Sequence, residues 1–375
     1  MKLLFALLVL ASSPCFGAYS FCRAISMNPL LVPSTTLIDY PLTVSGTYSH
    51  LATVANGGKV QNASGYDIGY FTSSAATTKL DWERERWVST TGESIYHIRI
   101  PIVNTTFGFL IYQCYGDASI TTDQSNRAGT WNSNYKGVWD MSQDPSGSAP
   151  QLLDSTSSGF HMTTHGSMAS GALVAGKVGS AINFTNPAAP EYASTSVSIG
   201  IAGSTSTISM WFNQNNTTFA AGLGGVLEGA FPDDENFLQL DNPGGNKLTG
   251  HVKTSGGYNL VTGSTVIGTG VWHHVALVYN GSNVITYLDG VQEATASAPG
   301  TLAGDAGFVA AYVASSNSGF AGFDGKLDEI RASSAASSPD WIAAEYNNQN
   351  SPSTFYALGA ENGATAGRRR QVIIE

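Results

Sequence analysis

The sequence predicts an all-β protein built from two β-sandwich domains. Composition is the first reason. Charged residues are 12% of the 375-residue chain, while glycine alone numbers 42, a balance rich in turn formers and poor in the charged faces of surface helices. The second is the stretch 271–290. Two apolar runs, 271–279 and 284–288, flank Asn280-Gly281-Ser282-Asn283, and Asp289-Gly290 closes the second run. Asn-Gly and Asp-Gly supply the positive φ angles of tight hairpin turns, so this is an antiparallel meander. The third is that helical start signals stand at one place only, near 338.

The chain opens on a secretory signal. Lys2 gives the positive start, residues 3–11 the apolar core, and Cys15-Phe16-Gly17 a small-x-small cleavage site. Residues 1–17 are thus the expected signal peptide and the mature protein a secreted, extracellular or cell-surface one. A lipid-carrying Cys15 is the rival reading, and Pro14 directly before it argues against that. The apolar run is shorter than the ~20 residues a membrane span needs, so no transmembrane segment is expected.

Residues 18–130 read as a small sandwich. Strands are expected at 37–44, 67–71, 80–85, 94–100 and 108–115, separated by glycine-rich turns. In 94–100, Ile95, His97 and Arg99 share one face and Tyr96, Ile98 and Ile100 the other. Cys22 and Cys114 are an even pair in an oxidising compartment; a disulfide is expected, with two separate thiols as the alternative. Tyr40-Pro-Leu42, Gly65-Tyr-Asp-Ile68, Leu80-Asp-Trp-Glu-Arg-Glu85, Ile98-Arg-Ile-Pro101, Tyr112-Gln-Cys-Tyr-Gly-Asp117 and Trp131-Asn-Ser-Asn-Tyr135 resemble a bacterial secreted domain of unknown function that often precedes laminin-G-like modules. That resemblance implies no activity.

Residues 131–361 form the second domain. Gly137-Val-Trp-Asp-Met141, Gly176-Lys-Val-Gly-Ser-Ala-Ile-Asn-Phe184, Ile208-Ser-Met-Trp-Phe212, the 271–290 meander and Phe323-Asp-Gly-Lys-Leu-Asp-Glu-Ile-Arg331 follow one another as in the laminin-G-like, concanavalin A-type jelly roll. The chain resembles that lectin and glucanase fold from about 137 to 361. Ser338-Pro339-Asp340 supplies an N-cap, a first-turn proline and a dipole-matched acid for one short helix near 339–347. Residues 362–375, with Arg368-Arg-Arg370, read as a disordered tail.

Most chemical motifs fail on their own terms. Gly171-Ala-Leu-Val-Ala-Gly-Lys177-Val178 nearly spells a phosphate loop, but Val178 stands where a magnesium-binding hydroxyl belongs. His161-Met-Thr-Thr-His165 lacks the glutamate of a zinc protease helix. Along a strand His273 and His274 face opposite sides, as do Asp328 and Glu329, leaving Glu329 to pair with Arg331. No strand carries the acidic spacing of a jelly-roll glucanase, and no nucleophile elbow is present. The net charge of −10 argues against nucleic acid.

Two features remain. Asp233, Asp234, Glu235 and Asn236 crowd one expected inter-strand loop, and such hard oxygens suit calcium; the resemblance implies the same, since related jelly rolls bind calcium at the sandwich edge. Asp154 and Asp241 are weaker ligands. Tyr192, Phe219, Tyr258 and Phe320 are expected on loops, where aromatic faces stack on sugars. The resulting expectation is a secreted, non-catalytic protein recognising a glycan or surface protein with calcium assistance. A structural or adhesive surface or virion-appendage component is the chief alternative, and a polysaccharide-cleaving enzyme a weaker one.

Overall fold

The computed structural model describes residues 19–185, 191–217, 221–227, 234–241, 245–302, 304, 307–311 and 321–363. The secretory-signal stretch, Asp233, Phe219, Phe320 and the arginine tail lie outside the described residues.

Six strands come first: β1 (Phe21–Met27), β2 (Leu37–Thr47), β3 (Ile68–Phe71), β4 (Trp82–Trp87), β5 (Glu93–Val103) and β6 (Leu110–Tyr115). One helical turn, α1 (Arg127–Thr130), leads to β7 (Tyr135–Trp139), β8 (Thr163–His165), β9 (Leu173–Ala175), β10 (Ser180–Phe184) and β11 (Tyr192–Ser194). The long strands of the jelly roll follow: β12 (Ser206–Gln214), β13 (Ala221–Leu227), β14 (Asp234–Asp241), β15 (Lys247–Thr254) and β16 (Gly257–Val266). The meander supplies β17 (His273–Tyr279), β18 (Asn283–Leu288) and β19 (Val291–Ser297), and then come β20 (Gly307–Ala310), β21 (Ala321–Gly322) and β22 (Gly325–Ser333). The last described elements are α2 (Pro339–Asn350), α3 (Pro352–Phe355) and β23 (Tyr356–Gly363).

The all-β expectation holds. In the first sandwich a sheet ordered β23-β1-β6-β3 packs on a sheet ordered β2-β5-β4. Tyr96, Ile98 and Ile100 enter the core between them with Ile25, Leu42, Trp82 and Ile111, as the alternation along 94–100 requires. Cys22 and Cys114 are partners across the β1/β6 ladder and are joined by a disulfide.

The jelly roll pairs a sheet ordered β19-β18-β17-β12-β22-β10-β9, with β7 also on β22, against one ordered β16-β15-β14-β13-β20-β11-β8. Its core takes Ile208, Met210 and Phe212 from β12, Val275, Leu277 and Tyr279 from β17, and Leu327 and Ile330 from β22. The Asp289-Gly290 turn has φ of 49° and 80°, the two positive angles that a tight hairpin needs.

One expectation is corrected. The final strand does not close the jelly roll. β23 runs antiparallel to β1 and completes the first sandwich instead, because β1 has β6 on one side only and Phe355 and Tyr356 bury themselves in the first core. The first domain is therefore discontinuous, and the jelly roll is inserted into it. The helix expected near 339–347 is present as α2 and extends to Asn350, where Asn348 and Gln349 are buried and anchored by tertiary hydrogen bonds.

Candidate functional site at the seam of the two sandwiches

Helix α2 is a wedge between the bodies. The Ser338 hydroxyl accepts from the Trp341 amide at 3.2 Å, Pro339 fills the first turn, and Asp340 sits by the positive end. Trp341 and Ala344 pack against the first core, and Ile342 packs against the outer face of β17 and β18. On that outer face Trp211 donates to Gln349 Oε1 at 2.5 Å and stacks on Tyr346 at 5.6 Å. Toward the first sandwich, Asp340 Oδ2 accepts from the Ser34 and Thr35 hydroxyls and the Thr35 amide at 2.6–2.8 Å. Asn348 takes the Thr43 amide on Oδ1 at 2.7 Å and donates to the Thr43 carbonyl at 2.8 Å, standing in for a neighbouring strand.

Charged side chains converge under the helix. Glu83 and Glu85 of β4, His97 of β5, Asp140, Glu329 and Arg331 of β22, and Glu345 of α2 all have side chains or residues at most 4% exposed. Strand alternation does not place Glu329 here. A β-bulge opposite Met210 breaks the β12/β22 register between Ser209↔Arg331 and Trp211↔Asp328, and Glu329 takes φ of 50°. The extra residue leaves Leu327 and Ile330 in the core and turns Asp328, Glu329 and Arg331 all outward. Asp328 and Glu329 therefore do not face opposite sides, which corrects the expectation from simple period-two geometry. The bulge falls where β22 exchanges one partner, β10, for the next, β7.

The charges sort into two groups. Arg331 bonds Glu329 Oε2 at 2.6 Å and lies 3.8 Å from Glu345. Burial works against the Glu345 charge, but Arg331 and hydrogen bonds from His274 and Ser209 overcome it and hold the carboxyl at about 2. Burial and then Asp140 push Glu83 up to about 8, against the Arg127 guanidinium 2.7 Å away. Burial, Asp140 and Glu329 drive Glu85 well above the usual carboxylate range, and burial lowers His97 to about 4.

Beside this cluster opens a cavity of about 260 Å³. Trp341, Tyr135, Leu37 and Ile38 give it apolar walls. Asn132, Asn134, Thr207, Ser209 and Ser337 give hydroxyls and amides, and Arg331 and Glu345 lie along its lining. It lies just below the roughly 300–1,000 Å³ of common ligand pockets, and such pockets favour domain interfaces. Sequence reasoning missed it, because its lining comes from both sandwiches and the helix between them.

The residues singled out from the sequence are scattered. Tyr192 and Tyr258 lie on strands, not loops: β11 and β16 are five strands apart, roughly 24 Å along the sheet. Tyr192 stacks on His165 at 4.3 Å, and His165 Nε2 meets the Ser194 hydroxyl at 3.0 Å. Tyr258 is 50% exposed and hydrogen-bonds His251. Asp234, Glu235 and Asn236 open strand β14 rather than lying in a loop. Asp154 is spent on structure: its carboxylate takes the amides of Val138, Thr156 and Phe160 and the Thr156 hydroxyl. The near-phosphate loop is spent likewise, since the Lys177 and Val178 amides donate to Asp328 Oδ2 at 2.8 and 2.9 Å. Gly179 follows with φ of 62°; a Cβ there meets Ile95 at 2.6 Å and Glu85 at 2.7 Å, so this turn presses on the seam.

Residues 188–343 match the sequence family described as the concanavalin A-like lectin/glucanases superfamily. The second body is a concanavalin A-like jelly roll. No curated protein matches the chain in sequence. Among solved structures, it is similar to the binding domain of Paraclostridial mosquitocidal protein 1, at 12% identity and a TM-score of 0.45, over 57% of this chain and 52% of that one. Domain 4 of AbnA, an extracellular arabinanase from Geobacillus stearothermophilus in complex with arabinotriose, matches at 18% identity and a TM-score of 0.41, over 56% of this chain and 97% of that one. The binding domain of botulinum neurotoxin DC in complex with SialylT matches at 10% identity and 0.43, over 58% and 52%. The chain thus spans about half the length of both toxin chains. Among the described residues, no helix is long and apolar enough to cross a membrane.

Proposed function

We propose that the protein is an exported, non-catalytic glycan-recognition protein whose ligand enters the cavity at the seam. One observation carries this reading. On a body of the lectin and glucanase superfamily, the cavity sets Trp341 and Tyr135 beside a ring of amides and hydroxyls, with a paired Arg331 and Glu345 in its lining. Aromatic rings pack on the C–H faces of a sugar and the polar groups bond its hydroxyls. The size suits one sugar ring, such as a chain end.

The seam carboxylates favour the lectin side of the superfamily over the hydrolase side. A glycosidase needs an acid and a base on either side of a solvent-filled cleft. Glu83, Glu329 and Glu345 are 2–4% exposed and paired with arginines. Calcium assistance through Asp233, Asp234, Glu235 and Asn236 belongs to the same proposal, as do Tyr192 and Tyr258 as outer sugar contacts.

A glycan array probed with and without calcium tests it. Bound glycans are expected, and Asn134→Ala, which alters an exposed rim residue, is expected to weaken binding about five- to tenfold with unchanged melting, the worth of one hydrogen bond. A folded protein with no hits under either condition sinks the reading. Filaments or large regular particles by light scattering would move the assignment to a structural surface component.

A further inference from the structure

Inside the seam, three ligand-type atoms from two bodies converge. His97 Nε2 lies 3.2 Å from Glu85 Oε2 and 3.8 Å from Glu329 Oε1, and the three donors fall within 4.8 Å of one another. The three side chains are 0%, 2% and 1% exposed. Glu85 and His97 belong to the first sandwich and Glu329 to the jelly roll. The geometry points to a divalent transition-metal site, of the zinc class, that clamps the two sandwiches together through Glu85, His97 and Glu329.

The independent observation is an unpartnered atom. Glu329 spends Oε2 on Arg331 and Gln349, while its Oε1, buried and aimed at His97, has no hydrogen-bond partner. An orphaned buried carboxylate oxygen is costly unless a proton or cation meets it. Asp140 Oδ1 is buried without a partner as well, and Asp140 interacts electrostatically with His97. The bulge adds to this: Glu329 holds a left-handed φ of 50°, a strained conformation that persists where surroundings demand it.

The donor set selects the cation. Two carboxylates balance a charge of +2. An imidazole ligand turns the preference from magnesium and calcium toward zinc and its neighbours. Zinc bonds of 2.0–2.2 Å in a tetrahedron hold donors roughly 3.4 Å apart, and the observed 3.2 and 3.8 Å bracket that spacing. His97 Nδ1 meets the Thr43 hydroxyl at 3.2 Å, the outer bond that fixes which imidazole nitrogen faces a metal. Asp140 is the side chain to examine as the fourth ligand.

The unaltered full-length protein, stripped with a chelator, is titrated with Zn²⁺ alone and with Co²⁺ as a spectroscopic probe. One equivalent of bound metal, tetrahedral Co²⁺ absorption and a higher melting temperature on adding zinc are expected. Glu329→Gln and His97→Gln are expected to lose stoichiometric binding. Thr43→Val removes only the outer bond and is expected to weaken affinity about 10–100-fold with the stoichiometry kept. The titration of the unaltered chain decides the matter even if a ligand variant fails to fold. A folded wild-type protein that binds less than a tenth of an equivalent, or binds equally well after Glu329→Gln, overturns the assignment and leaves protons to settle the charge of the cluster.

Discussion

Asn348→Ala tests how the two sandwiches are coupled. Asn348 and Thr43 are 1% and 0% exposed, and the amide side chain serves both the N–H and the C=O of Thr43 at 2.7 and 2.8 Å. Alanine leaves that N–H and that C=O without those bonds. Each lost bond and orphaned group costs about 1–2 kcal/mol, so the substitution should destabilise by about 3 kcal/mol. At roughly 2–4 °C per kcal/mol for a chain of this order, melting should fall by about 6–12 °C. Asn348→Asp keeps the acceptor but sets a carboxylate against the Thr43 carbonyl, so it should be at least as damaging. Asn350, two residues on and exposed, is the control, and Asn350→Ala should stay within about 0.5 kcal/mol. The assay is urea unfolding followed by fluorescence, with calorimetry for the melting temperature. A loss below about 1 kcal/mol for Asn348→Ala would refute the claim that this side chain substitutes for a strand.

Four further outcomes follow from the same structure. Asp328→Ala should cost about 2–4 kcal/mol by stranding the Lys177 and Val178 amides, whereas Asp328→Asn keeps a carbonyl for them and should cost less than half as much; equal losses by denaturant titration would contradict this. Glu345 is held at about 2 against an ordinary 4.5, so its contribution, about 3 kcal/mol, is complete above pH 4.5 and disappears as pH falls toward 2. His251, lowered to about 4 by burial, adds stability that is complete above pH 6.5 and is lost between there and 4. Glu83 and Glu85, both pushed upward, act in the opposite sense over this range, so each variant is compared with the wild type: a stability difference for Glu345→Gln, or for His251→Gln, that stays flat from pH 6.5 to 3 would count against that group. Finally, Cys22 and Cys114 are 92 residues apart, a loop whose closure is worth about 4–5 kcal/mol by chain entropy; a Cys22→Ser protein as stable as the wild type in urea would falsify that.

What the sequence revealed depended on the range of the interaction. Turn residues and alternation are local, so the meander, the core face of 94–100 and the Ser338 cap were legible. Trp211 is buried, but beneath α2 on the outer face rather than in the jelly-roll core, a contact that no local pattern announces. The pairing of Glu329 with Arg331 was readable from spacing, but the bulge that redirects Glu329 was not, because one inserted residue shifts every later side chain to the opposite face. The seam cluster draws on positions from 83 to 345, and only folding brings them together. Its trace in the sequence was faint: charged residues placed inside apolar strand runs, at Leu80-Asp-Trp-Glu-Arg-Glu85 and Leu327-Asp-Glu-Ile-Arg331, in a chain with few charges to spare.

The pairing of β23 with β1 sets an order of events during synthesis. Phe21 leaves the ribosome ahead of the whole jelly roll, and its partner Gly363 follows after it. Strands β7 to β22 are contiguous in the chain and can assemble while translation continues; the first sheet waits. Through that interval β1 offers an open edge, the kind of surface that recruits a strand from another chain. A product truncated before Tyr356 would keep every jelly-roll strand and still associate with its own kind through that edge. Exchange of the last strand between two copies would close both edges at once, giving a dimer that no surface patch on the finished molecule foretells.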